Sequence, residues 1–144
     1  MAIKTFRGLI AHGAQDTISL HTNDGAVGYR IVKLDSIDKD PGTNTMESVL
    51  KIYKIPQTAV NGTIDFSDQT LIAVAYFENN TSGTYASWKQ IIFDRDIFNQ
   101  DIYITNNDNS GASIAINYYI ELEQVKLDLN ENTVATLKDI RANA

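Results

Sequence analysis

Residues 113 to 129 read SIAINYYIELEQVKLDL, and their alternation decides the fold class. Ile114, Ile116, Tyr118, Ile120 and Leu122 fall on one side of a two-residue period, while Ala115, Asn117, Tyr119, Glu121 and Glu123 fall on the other. A helical period of 3.6 residues would scatter Ile116, Tyr118 and Ile120 around the cylinder. The stretch is therefore a long, half-buried strand. After Leu122 the apolar phase slips to Val125, Leu127 and Leu129, with Lys126 and Asp128 on the wet side. An extra residue near Glu123 and Gln124, a β-bulge, would return both apolar sets to one face.

Upstream of this spine the chain breaks into short runs separated by turn residues. Asn106 to Gly111 is a turn, Ile97 to Thr105 holds a strand centred on Ile102 to Ile104, and Ser87 to Phe93 is another. Thr70 to Phe77, TLIAVAYF, is apolar on both faces, which suits the centre of a two-layer structure, and Glu78 to Gly83 is its polar tip loop. Asn61 and Gly62 lead into a short strand over Thr63 to Phe66, followed by a turn at Ser67 to Gln69. Ser48 to Ile55 is a strand that Pro56 ends, with Lys51 and Lys54 snorkelling to solvent. Asp35 to Glu47 is a loop. Gln15 to Thr22 and Val27 to Leu34 form a hairpin around Asn23, Asp24 and Gly25, residues that tolerate positive φ. About eight strands without an intervening helical pattern make a single all-β domain over residues 1–144, an antiparallel sandwich or barrel. Met1 to Gly13 lacks a clean period and reads as an extended arm, dispensable for folding. Asn130 to Ala144 is a tail, either one helical turn capped by Thr133 or extended chain.

Composition narrows the function. A chain of 144 residues with 43% hydrophobic and 21% charged residues can bury one core. It has no cysteine, so disulfides and thiolate zinc sites are ruled out. Its longest apolar runs fall short of the roughly 20 residues of a membrane helix, and the N-terminus lacks a signal-peptide core, so a soluble, cytoplasmically made protein is expected. Net charge is −6 and the basic residues form no stripe, which disfavours nucleic acid as a partner.

Few residues suggest chemistry. The two histidines are His12 and His21, and neither sits in an elbow motif with Ser19 or Asp16. Asn106, Asp108, Ser110 and Gly111 partly match a calcium loop, but Asn117 stands where the bidentate Glu should be. A loose calcium site there or in Asp35 to Asp40 competes with the simpler reading of solvated turns, and no cofactor is assigned. Asp94 with Asp96, and Glu121 with Glu123, have the form of glycosidase carboxylate pairs but also of an ordinary wet face. Tyr85 and Trp88 are the candidate ligand-binding aromatics, with core packing as the alternative. Catalytic residues and bound metals are not expected.

Four segments, QDTISLHTNDGAVGYRIVKL (15–34), GTIDFSDQTLIAVA (62–75), IFNQDIYIT (97–105) and INYYIELEQVKLDLNENTVATLKDIR (116–141), resemble small structural proteins of marine tailed bacteriophages. The resemblance implies a virion component, a capsid decoration or auxiliary protein with a jelly-roll β-sandwich. It implies the major capsid protein as partner and self-association, for instance as a trimer. The apolar residues Phe6, Leu9 and Ile10 of the arm and Val134, Leu137 and Ile140 of the tail are the expected interface. The alternative is a carbohydrate- or host-receptor-binding sandwich of a fibre or head. Strand order is open at this point, because a jelly roll and an immunoglobulin-like sandwich produce the same run of short strands.

Overall fold

The computed structural model describes residues 2–20, 26–41, 45–79 and 88–127. His21, the turn at 23–25, Tyr85 and the tail with Val134, Leu137 and Ile140 lie outside the described residues. Among the described residues there are eight strands: β1 (Ile3–Ile10), β2 (Gln15–Ile18), β3 (Val27–Asp38), β4 (Met46–Tyr53), β5 (Leu71–Asn79), β6 (Trp88–Phe93), β7 (Ile102–Asp108) and β8 (Ile116–Lys126). They form a three-stranded sheet, β1-β8-β3, and a five-stranded sheet, β2-β7-β4-β5-β6. All pairings are antiparallel. No helix occurs among the described residues.

The predicted spine is the middle strand of the smaller sheet. Ile116, Ile120 and Leu122 are fully buried and Tyr118 nearly so, while Asn117, Tyr119, Glu121 and Glu123 line the outer face. One core cluster joins both sheets. Ile10, Tyr29, Ile31, Leu34 and Ile120 enter it from the smaller one, and Leu50, Ile52, Ile72, Ala75, Ile102 and Ile104 from the larger.

The expected bulge exists, but on the neighbouring strand. β8 pairs through residues 122 to 126 without interruption, and the register shifts in β3 between Ile31 and Lys33, where Val32 is the extra residue. The slipped phase in β8 has a different cause. Leu127 packs with Ile97 on the face of Gly28, where an added Cβ would lie 2.6 Å from Ile97 Cγ2.

The arm is a correction. Residues 3–10 pair with β8 over eight registered positions, from Ile3 opposite Glu123 to Ile10 opposite Ile116. Lys4, Phe6, Gly8 and Ile10 occupy the inward positions. Two of these hide the alternation that marks a strand. Lys4 lays its stem inward and its Nζ donates to the Tyr29 hydroxyl at 3.3 Å, and Gly8 leaves room for the Tyr118 ring, 3.0 Å from where a Cβ would stand. Burial, and next the charge of Asp16, raise the pKa of that tyrosine, whose hydroxyl donates to Asp16 Oδ2 at 3.3 Å.

The strand expected over Thr63 to Phe66 does not form. Asp65 Oδ1 accepts the N–H and hydroxyl of Ser67 at 3.0 and 2.6 Å, and Asp68 Oδ1 accepts those of Thr70 at 2.9 and 2.7 Å. Two successive side-chain-capped turns replace extended backbone. β3 also runs on through Asp38, so Asp35 to Asp38 are strand rather than loop.

Residues 54–70 cross the outer face of the larger sheet, which is why β4 is buried on both sides. Lys51 is tied beneath them, its Nζ donating to Thr63 O at 2.7 Å and Asn61 Oδ1 at 3.2 Å. Burial lowers its pKa against the opposing pull of Asp68. Lys51 and Lys54 are 2% and 8% exposed, so the expected snorkelling is overturned. A covering segment has taken the place of water.

Candidate ligand-binding face

The outer surface of β5 and β6 carries the most prominent exposed apolar group among the described residues. Register places Val74 opposite Ile92, Tyr76 opposite Gln90 and Glu78 opposite Trp88, all on the side away from the core. Ile91 and Phe93, the alternate residues of β6, pack against the core. Trp88 is 62% exposed, Ile92 53% and Phe66 64%.

Phe66 stands exposed because the turns at Asp65 and Asp68 present the residues between them to solvent. With Ile64 it walls an apolar cleft of about 250 Å³, completed by Val74, Tyr76, Gln90 and Ile92. Burial, the Glu78 carboxylate that accepts its hydroxyl at 3.1 Å, and Glu47 all raise the pKa of Tyr76, keeping it a neutral donor. A second cleft, of about 460 Å³, shares Phe66 and Ile92 and is lined at its polar end by Lys54, Asp68, Asp94 and Asp96.

The segment that partly matches a calcium loop, read in sequence as a solvated turn, is instead a hydrogen-bonded knot. Asp108 closes β7 at 3% exposure. Its Oδ1 accepts the N–H groups of Glu47 and Ser110, each at 3.0 Å, and its Oδ2 accepts that of Ile114 at 2.9 Å. Asn106, fully buried, donates to Ile10 O and Ile114 O and accepts the Ser48 hydroxyl at 2.8 Å. The oxygens a cation would need are thus occupied by backbone donors. No group of three or more His, Asp or Glu side chains able to hold a metal occurs among the described residues.

The remaining candidates are dispersed. His12 Nδ1 accepts the Asp108 N–H at 2.9 Å, so that ring nitrogen is taken up by the backbone. Glu123 is bound to Arg30 at 3.1 Å, and Glu121 accepts the Tyr119 hydroxyl at 3.3 Å. Of the three predicted N-terminal contact residues, Ile10 is 1% exposed and Phe6 packs on the core, so both serve this chain's own interior. Leu9 alone faces outward, 48% exposed, beside Asn117 and Ile37. Trp88 lies exposed on this face, whereas Phe66 and Ile92 went unnoticed in sequence and Lys54 was read only as snorkelling to solvent. Their only signal is the paired Asx turns of DFSDQT, which lift an aromatic residue from a polar run.

No protein-family model matches the chain, and no curated protein is significantly similar to it.

Proposed function

We propose that the chain is a non-enzymatic structural protein of a tailed-phage particle, a decoration protein of jelly-roll type that self-associates and binds the lattice of the major capsid protein. The observation that carries this reading is the pairing of β1 with β8, β2 with β7 and β4 with β5. First with last and second with second-last is the pairing expected of one long hairpin rolled into two Greek keys, which supports a jelly-roll reading, with β6 departing from it by pairing with β5. β3 and β6, the remaining couple, meet through Lys89 and Asp35 at 2.8 Å. One fold hosts many functions, and it is the resemblance of four segments to phage structural proteins that directs this one to the virion.

The partner surfaces in this reading are exposed side chains, not a detachable arm. Leu9 and Ile37 on the smaller sheet serve contact between copies, and the Phe66, Trp88 and Ile92 face serves the lattice. Quantitative mass spectrometry of purified particles tests the assignment. A copy number comparable to the major capsid protein supports a head-coating role, and absence from the particle refutes it.

A second reading, a glycan- or receptor-binding sandwich of a fibre or head, is favoured by the exposure of Trp88 and Phe66 together, two aromatic faces available for stacking. A handful of copies per particle with a positive glycan array supports it. A blank array removes it.

A further inference from the structure

We propose that the larger cleft between residues 54–70 and β6 is a binding site for a neutral pyranose, with Lys54, Asp68 and Asp94 as its polar contacts and Phe66 as its stacking face. The proposal deepens the glycan reading and moves its site from Trp88 into the cleft.

The cleft volume of about 460 Å³ lies within the range of roughly 300 to 1,000 Å³ typical of small-ligand sites. Its polar end contains an unanswered cation. Lys54 is 8% exposed and lines the cleft, yet its ammonium makes no hydrogen bond or ion pair with any described residue. The backbone on either side is fixed, since the Lys54 N–H donates to Thr70 O at 2.9 Å. Lacking an acceptor among the described residues at the cleft wall, the ammonium donates to water when the cleft is empty and is free to donate to the oxygens of a ligand instead.

The same space is lined by Asp68, Asp94 and Asp96, a formal −2 when set against Lys54. Asp68 spends Oδ1 on Thr70, and the Asp94 carboxylate has no side-chain partner among the described residues, its backbone N–H donating instead to Ile72 O at 2.9 Å. An anionic ligand would satisfy Lys54 but meet the carboxylates. A cationic one would do the reverse. A hydroxyl donates once and accepts twice, so neighbouring hydroxyls on one ring can accept from Lys54 and donate to Asp68 and Asp94 together. The apolar wall of Phe66, Leu71 and Ile92 suits the C–H face of a sugar ring. Neutral, polyhydroxylated and apolar on one face describes a pyranose.

The test uses the full chain and chemical-shift titration with methyl glycosides of neutral hexoses, alongside methyl glucuronide. Neutral glycosides should bind with dissociation constants in the millimolar range or tighter, and the uronide about tenfold more weakly. Phe66→Ala, Lys54→Met and Asp94→Asn should each weaken binding about tenfold or more. Phe66 is largely exposed, so its variant keeps the fold and reports on the site even if Lys54→Met proves unstable. Absence of binding by every neutral glycoside overturns both the proposal and the glycan reading. Binding that survives Phe66→Ala and Asp94→Asn but is lost in Trp88→Ala overturns the proposal alone.

Discussion

Asp108 is the residue on which one end of the molecule is tied. Burial pushes its carboxyl up most strongly, but the backbone N–H groups of Ile114, Glu47 and Ser110, with the Ser110 hydroxyl, together pull harder and leave the pKa below the ordinary value. A depressed folded pKa means that the stabilisation is complete above the unfolded value of about 3.9 and is lost as pH falls through the lower folded one. Asp108→Asn should therefore cost about 2 kcal/mol in urea unfolding at pH 7, and the gap to wild type should narrow below about pH 3. An equal gap at both pH values would mean that the ionised form is not what the three donors hold. Gly28 is the second critical residue. Gly28→Ala should cost about 1 to 3 kcal/mol because the new methyl group meets Ile97 Cγ2 at 2.6 Å, and a double-mutant cycle with Ile97→Ala should recover part of that loss. Neither role was legible in the sequence. Asp108 looked like a turn residue because its donors come from Glu47, distant in the chain, and Gly28 meets a side chain 69 positions away.

Among the elements, β8 is the pivot of the smaller sheet, paired with β3 on one side and with β1 on the other. Ile120 is fully exposed to the core and closed to solvent, so Ile120→Ala should cost about 3 kcal/mol, whereas Ile92→Ala, on an outer face, should stay within about 0.5 kcal/mol. Thermal melts of the two variants make the comparison. Deleting residues 1–13 should abolish cooperative folding, because it strips eight registered positions from β8, removes Ile10 from the core and leaves a bare strand edge. A truncated chain that still melts in one sharp transition would show that β1 is an accessory after all. Seven of the eight strands were read correctly in type and place from alternation and turn residues, β8 most clearly. The hairpin expected between β2 and β3 does not form, since β2 pairs with β7 in one sheet and β3 with β8 in the other. β1 was missed because its inward residues include a lysine and a glycine, and residues 63–66 were miscast because two aspartates offered their own acceptors to the backbone.

At the scale of the whole molecule, a single core cluster draws on both sheets, so the sheets should not unfold separately. Guanidinium unfolding followed by the fluorescence of Trp88, the one tryptophan, and by far-ultraviolet circular dichroism should give coincident midpoints. Separate midpoints would mean that the three-stranded sheet comes away from the five-stranded one. What the sequence determined by itself is the all-β class and most strand positions, because alternation and turn chemistry act between residues a few positions apart. The tertiary structure alone decided the two sheets and their strand order, the place of the bulge in β3, the burial of Lys51 and Lys54, and the cleft. Each of these depends on groups that chain order separates, Lys54 from Asp94, Ile31 from Leu122, Ile3 from Glu123, and only the packed sheets bring them together.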